Sequence, residues 1–229
     1  MGRSVLVTGG TGGLGVAVTT AFLDAGWRVV VPWVAERELS RMPSHPALEL
    51  VEADLFDEES VRACATTAAS SPDAPLRAVV NLVGGFAAGG RVHETPVEEF
   101  ESQLRLNLRP TYLTCQQTLP HLMAAGGGSI VCMSSRAALH PFAGAAGYVT
   151  AKAAVLALVD VLDLEYAKAG IRVNAVLPGT IDTPANRAAM PDANRKDWVA
   201  PADIARTILF LSGDEASPIS GAHVPVHRA

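Results

Sequence analysis

The chain has 229 residues, 49% of them apolar and only 18% charged, a balance that fills one large core and excludes a disordered polymer. A formal charge of −5 with no Lys/Arg cluster argues against nucleic acid as a partner, and the apolar run 153–159 stops at Asp160, too short to cross a bilayer. Cys64, Cys115 and Cys132 are odd in number and lack metal-ligand spacing, so reduced thiols of a cytoplasmic protein, with no metal site, are expected.

No linker divides the sequence, and residues 1–229 read as a single domain. Met1 leads without a secretory pattern into a β-rich run, 3–7, followed by TGGTGGLG at 8–15 and an amphipathic helix to about residue 25, closed by Gly26. Residues 28–33 and 48–53 are the next strands, the second ending at Asp54-Leu55. Residues 58–69 have helical composition, and SSPDAP after them is a turn cluster. A fully apolar strand, 76–83, is closed by Gly84-Gly85. A long helical region, 96–125, contains Asn107 and Pro110; Pro110 cannot donate to the Leu106 carbonyl and should distort the helix there. Then follow a strand at 129–133, a helix from about 145 to 169, a strand at 172–177 and Pro178-Gly179. Residues 184–198 read as a polar, Ala-rich loop, before a helix opened by Pro201 and a last strand at 223–226.

Strands that alternate with helices and run continuously apolar predict an α/β fold: a doubly wound, Rossmann-type and mainly parallel seven-stranded sheet between helices. Right-handed crossovers then place ligands beyond the strand C-termini, where Thr8, Asp54, Asn81, Ser135 and Pro178 should converge.

Two constellations carry chemistry. Gly9, Gly13 and Gly15, interleaved with Thr11, Gly12 and Leu14, stand between a strand and a helix, where backbone amides can approach a pyrophosphate. Ser135 is followed after twelve residues by Tyr148 and after three more by Lys152. Tyr and Lys four apart share a helix face, so the ammonium, with the positive helix end, should draw the phenol down from its free value of about 10. A carbonyl oxygen held by Ser135 and protonated by Tyr148 is then ready to accept a hydride.

Thr8-Gly9-x-x-x-Gly13-x-Gly15, Asp54, Asn81 with Gly84, Asn107, Ser135, Tyr148, Lys152 and Pro178-Gly179 with Thr183 resemble, in order, the short-chain dehydrogenase/reductases over essentially the whole chain. The resemblance implies an NAD(P)-dependent oxidoreductase that moves a hydride between nicotinamide and a carbonyl or alcohol carbon of a small molecule. It implies that Asp54 contacts the adenine amine and that Asn81 braces the sheet. Lys152 holds the nicotinamide ribose, Thr183 and the backbone around Ile181 hold the carboxamide, and Asn107 anchors a water that links Lys152 to solvent. It also implies a homodimer or homotetramer through the helix after Tyr148, which is apolar around most of its circumference.

The sequence departs from the family at several points. The usual Asn-Asn-Ala-Gly is Asn81-Leu82-Val83-Gly84, and Trp33 stands where a carboxylate usually reads a ribose diol. No base occupies Gly12 or Val34, which leaves Arg37 to reach a 2′-phosphate, so NAD(H) is expected to be preferred slightly over NADP(H). Residues 84–90 and 177–198 are similar to segments of dihydropteridine reductases, in which an aromatic at the position of Phe86 lies near a flat pterin. Reduction of a dihydropteridine or another conjugated acceptor is therefore the alternative activity, and a nucleotide-sensing regulator without chemistry is the second. Gly85, Phe86, Leu139, His140, Phe142, Met190 and Trp198 are candidate pocket residues.

Overall fold

The computed structural model describes residues 2–227; Met1, where the leaderless start was read, and the last two residues lie outside the described residues. Seven strands form one sheet: β1 (Ser4–Thr8), β2 (Arg28–Trp33), β3 (Leu48–Glu52), β4 (Leu76–Asn81), β5 (Gly128–Met133), β6 (Ile171–Pro178) and β7 (His223–Val226). All pairings are parallel, in the order β3-β2-β1-β4-β5-β6-β7. The helices are α1 (Gly15–Asp24), α2 (Glu58–Ala69), α3 (Val97–Ala124), α4 (Ala146–Tyr166), α5 (Pro184–Ala189) and α6 (Pro201–Ser212).

The strand period of two divides the core between the faces. Val5, Val7, Val29, Val31, Val80 and Val131 pack against Val18 and Phe22 of α1 and Ile204, Ile208 and Leu211 of α6. Leu6, Val30, Val79, Ile130 and Val173 point to the other face, under α2, α3 and α4. Each fully buried side chain of this kind contributes about 1.5–3 kcal/mol, so the sheet holds a ten-residue helix such as α1 that is marginal alone in water.

α3 runs continuously through Pro110 and Pro120, matching the long helical region expected at 96–125, and is held by packing against α2 and α4. Three expectations need correction. β4 stops at Asn81 rather than Val83, because Leu82 N donates to the carbonyl and hydroxyl oxygens of Thr8 and the chain then turns toward α3. The loop 184–198 opens with α5: Thr183 Oγ1 accepts from Asn186 N and Pro184 takes the first helical position. β3 is an edge strand with three of five residues exposed, instead of a run buried on both faces. Among the described residues, no helix is long and apolar enough to cross a membrane and no group of His, Cys, Asp and Glu could hold a metal ion.

Candidate active site

The C-terminal ends of β1, β4, β5 and β6 open onto one edge, where the glycine loop leads into α1. Gly9 has φ +69°, its carbonyl accepts from Gly12 N at 3.1 Å, and a Cβ on Gly15 would lie 2.0 Å from the Gly9 oxygen. Leu14 gives α1 no side-chain cap and the first turn has no acid, so the positive end of the helix is left for an anion. These features fit a dinucleotide pyrophosphate. Thr8 is buried and its hydroxyl meets the Val80 carbonyl. A Cβ on Gly13 would sit 3.0 Å from Thr183 Cβ, which brings the segment after β6 against the glycine loop. Gly179 N donates to Val226 O, and Ile181 bridges to Val199, tying that segment down.

On the β2–β3 side, Asp54 is exposed and its Oδ1 accepts from Phe56 N at 2.9 Å, whereas Leu55 is buried with Val61 and Leu113. Trp33 ends β2 half-buried. A residue the sequence reading passed over stands nearby: Glu38 Oε2 accepts from Thr11 Oγ1 at 2.6 Å. No local pattern reveals a pair 27 positions apart. Asn81 braces the sheet through sulfur, with Nδ2 at 3.5 Å from Cys115 Sγ and 3.7 Å from Cys132 Sγ. Cys115 and Cys132, read only as reduced thiols, thus link α3 and β5 behind the site, and the contact with Cys132, together with burial, pushes the Cys115 thiol up.

Ser135, Tyr148 and Lys152 come together as predicted. Ser135 Oγ accepts from Ala137 N at 3.2 Å, which caps a short 3-10 turn and fixes the hydroxyl beside Tyr148. Lys152 is buried; its Nζ donates to Met133 O at 3.0 Å and lies 6.0 Å from the Tyr148 ring centre. Burial pulls the ammonium down to about 8, against the opposing charge of Cys132. The expected lowering of the phenol does not occur. Burial pushes Tyr148 up, a hydrogen bond from Ser135 pulls it back only in part, and the Lys152 ammonium is turned toward the β5 carbonyl. Asn107, which as an isolated helix residue would face solvent, is fully buried. Its Oδ1 accepts from Gly85 N at 3.1 Å and its Nδ2 donates to Gln103 O at the same distance. Asn107 and Lys152 meet above Gly84, where a Cβ would stand 2.6 Å from Asn107 Oδ1 and 3.0 Å from Lys152 Nζ.

Large apolar side chains stand open to solvent around this group. Phe86 is 64% exposed and meets the Tyr148 ring edge-on, 5.0 Å between centres at 85°. Phe142, 50% exposed, lies 6.3 Å from Phe86 at 40°. Gly89 N donates to Gly144 O at 2.8 Å and joins the two loops that carry them. His140 and Met190 are exposed and Gly85 is half-buried. Trp198 differs from these: it is only 7% exposed and packs under Arg195, so it serves as a floor for its loop and not as an open wall.

Residues 3–194 match the family described as short chain dehydrogenase. The chain is 35% identical over 240 residues to 2-(R)-hydroxypropyl-CoM dehydrogenase of Xanthobacter autotrophicus, covering 97% of this chain and 96% of that protein. It is 34% identical over 238 residues to cis-4-hydroxycyclohexanecarboxylate dehydrogenase of Sinomonas cyclohexanicum, covering 98% and 94%. Among solved structures, ElxO with NADP bound superposes with a TM-score of 0.91 at 25% identity, over 99% of this chain and 97% of that one. Together with the glycine loop and the Ser135–Tyr148–Lys152 group, these likenesses place the chain in the short-chain dehydrogenase/reductase family, as an NAD(P)-dependent oxidoreductase acting on an alcohol or carbonyl carbon.

Proposed function

We propose that the protein interconverts a ring-bearing secondary alcohol and its ketone, with Phe86 and Phe142 flanking the ring and Tyr148 facing the oxygen. The observation that carries this reading is the pair of exposed phenyl rings, one of them seated on the reacting phenol. Exposed aromatic faces without a protein partner lose contact area that a flat ligand restores. The name of the Sinomonas relative, a dehydrogenase of a hydroxycyclohexane ring, supports the same class.

When bound, the nicotinamide supplies the hydride for reduction or accepts it in oxidation. Tyr148 gives its phenolic proton to the carbonyl oxygen, so hydride and proton together convert C=O to CH–OH, and in the reverse direction it takes the proton back. Ser135 donates to the same oxygen and keeps it at the phenol. Lys152 holds the nicotinamide ribose and, through Asn107 and water, restores the proton on Tyr148. Thr183 and the backbone at Ile181 meet the carboxamide, Asp54 the adenine, and the glycine loop the pyrophosphate. A sensing module has no use for this proton path, and the intact set favours turnover over regulation.

In a panel of cyclic alcohols and ketones, open-chain counterparts of equal carbon number and a quinonoid dihydropteridine, the cyclic compounds should give the highest kcat/KM. Phe86→Ala and Phe142→Ala should each raise KM by about tenfold, in line with loss of one aromatic contact. Preference for the open-chain set would remove the ring assignment, and preference for the pterin would install the alternative activity.

We also propose a homodimer or homotetramer in a reducing, cytoplasmic setting. Leu164, 81% exposed, and Val161 leave an apolar strip along α4 that the sheet does not cover, and all three cysteines are free and buried. Light scattering at micromolar concentration should show two or four chains, and Leu164→Glu should shift the population toward one. A wild-type monomer would end this reading.

A further inference from the structure

We propose that Glu38 selects the dinucleotide: its carboxylate reads the hydroxyls of the adenosine ribose and turns away a 2′-phosphate. This rests on the reading that a dinucleotide lies across the glycine loop. The sheet order fixes which half lies where. Lys152 and Thr183 belong to the β5–β6 side of the switch between β1 and β4, so the adenosine half extends toward β2 and β3, where Asp54 stands. Its ribose must lie between the glycine loop and the end of β2.

Trp33, the last residue of β2, carries no charge to read that ribose. The chain then enters a 3-10 turn, Glu36–Arg41, which folds back over the loop. Glu38 ties that turn to the loop, its Oε2 accepting from the hydroxyl of Thr11 at 2.6 Å, and Thr11 is itself only 5% exposed. A carboxylate is thereby fastened to the glycine loop at the ribose position, although the sequence places it five residues beyond Trp33. Arg41 Nη1, 3.7 Å from Oε1, steadies the other oxygen. Each carboxylate oxygen accepts more than one hydrogen bond, so both can still take a ribose hydroxyl. A 2′-phosphate would bring a second anion to the same point, in a partly enclosed setting where like charges are poorly screened.

The two neighbouring bases give the inference a sharper form. Arg41 is engaged by Glu38 while the carboxylate is present, and Arg37 is exposed on the same turn. Removing the acid therefore does more than delete repulsion, because it releases Arg41 toward a phosphate.

The test is titration of NADH and NADPH into the full-length wild type and the Glu38→Gln, Glu38→Ala and Arg37→Ala variants, followed by calorimetry. The wild type should bind NADH about tenfold or more tighter than NADPH. Glu38→Gln, which keeps an acceptor for Thr11 but loses the charge, should bring the two affinities within about threefold, mainly by improving NADPH. Glu38→Ala should invert the preference, and Arg37→Ala should leave NADH binding unchanged. A merely structural role would lower both affinities together and leave their ratio alone. That result, or a wild-type preference for NADPH, overturns the assignment. If neither dinucleotide binds the wild type, the cofactor site itself has been misread, a failure distinct from an unmoved ratio.

Discussion

Turnover of the Tyr148→Phe variant is expected to fall by roughly 10²–10⁴-fold, the usual contribution of a positioned general acid, with dinucleotide affinity close to wild type. The substitution deletes one oxygen and leaves the ring that Phe86 packs against, so the fold and the aromatic pair survive. The loss should fall on kcat and kcat/KM alike, since the proton moves only in the transition state. The same variant reports the state of the phenol. Burial raises Tyr148 above its ordinary value, so the phenol stays protonated as pH rises through neutrality and ionises at higher pH than a free tyrosine. An ultraviolet titration of wild type minus variant should therefore show the Tyr148 phenolate appearing only at higher pH than that of a free tyrosine. Unchanged kcat in the variant would remove Tyr148 from the mechanism, and a phenolate signal near neutral pH would show that the Lys152 ammonium outweighs burial at the phenol.

Gly84→Ala is expected to cripple the enzyme without removing a titrating group. The new methyl would stand 2.6 Å from Asn107 Oδ1 and 3.0 Å from Lys152 Nζ. Neither neighbour can step aside freely: Asn107 is held by Gly85 N and Gln103 O, and Lys152 by Met133 O. Displacement of both by a few tenths of an ångström to one ångström should lower kcat by on the order of 10²-fold. Gly213→Ala is the control. Gly213 has an ordinary negative φ and its Cβ would meet nothing nearer than 3.5 Å, so steady-state rates should match wild type. Wild-type kcat for Gly84→Ala, with the expected structure confirmed, would show that Asn107 and Lys152 do not act from the positions described.

The sheet was legible because each strand signals itself locally: apolar runs, a glycine turn and a helix-period stripe recur within windows of a few residues. Ser135, Tyr148 and Lys152 were legible for the same reason, being spaced along one strand, loop and helix. The opening of α5 was present in the dipeptide Thr183-Pro184 but was outweighed by the polar composition behind it. Properties that depend on packing across the chain were not legible. Glu38 finds Thr11 only after β2 has paired with β1, the amide of Asn81 ends among thiols from α3 and β5, and Trp198 is covered by its own loop. The titration of Tyr148 was misjudged because helix spacing shows neither how deeply the phenol is buried nor that the Lys152 ammonium ends on the Met133 carbonyl.

The hydrogen bond from Gly89 N to Gly144 O makes a mechanical unit of two loops that the sequence keeps more than fifty positions apart. Gly144 sits at φ +81°, and a Cβ there would come within 2.6 Å of the Gly89 oxygen, so this crossing admits no side chain on one partner. Phe86 and Phe142 ride on opposite arms of that crossing. An insertion or deletion in either arm alone would break the link and splay the aromatic pair. Enlarging the pocket for a bulkier ring therefore calls for matched changes of length in both arms, or for trimming the two phenyl groups in place while the backbone crossing is kept.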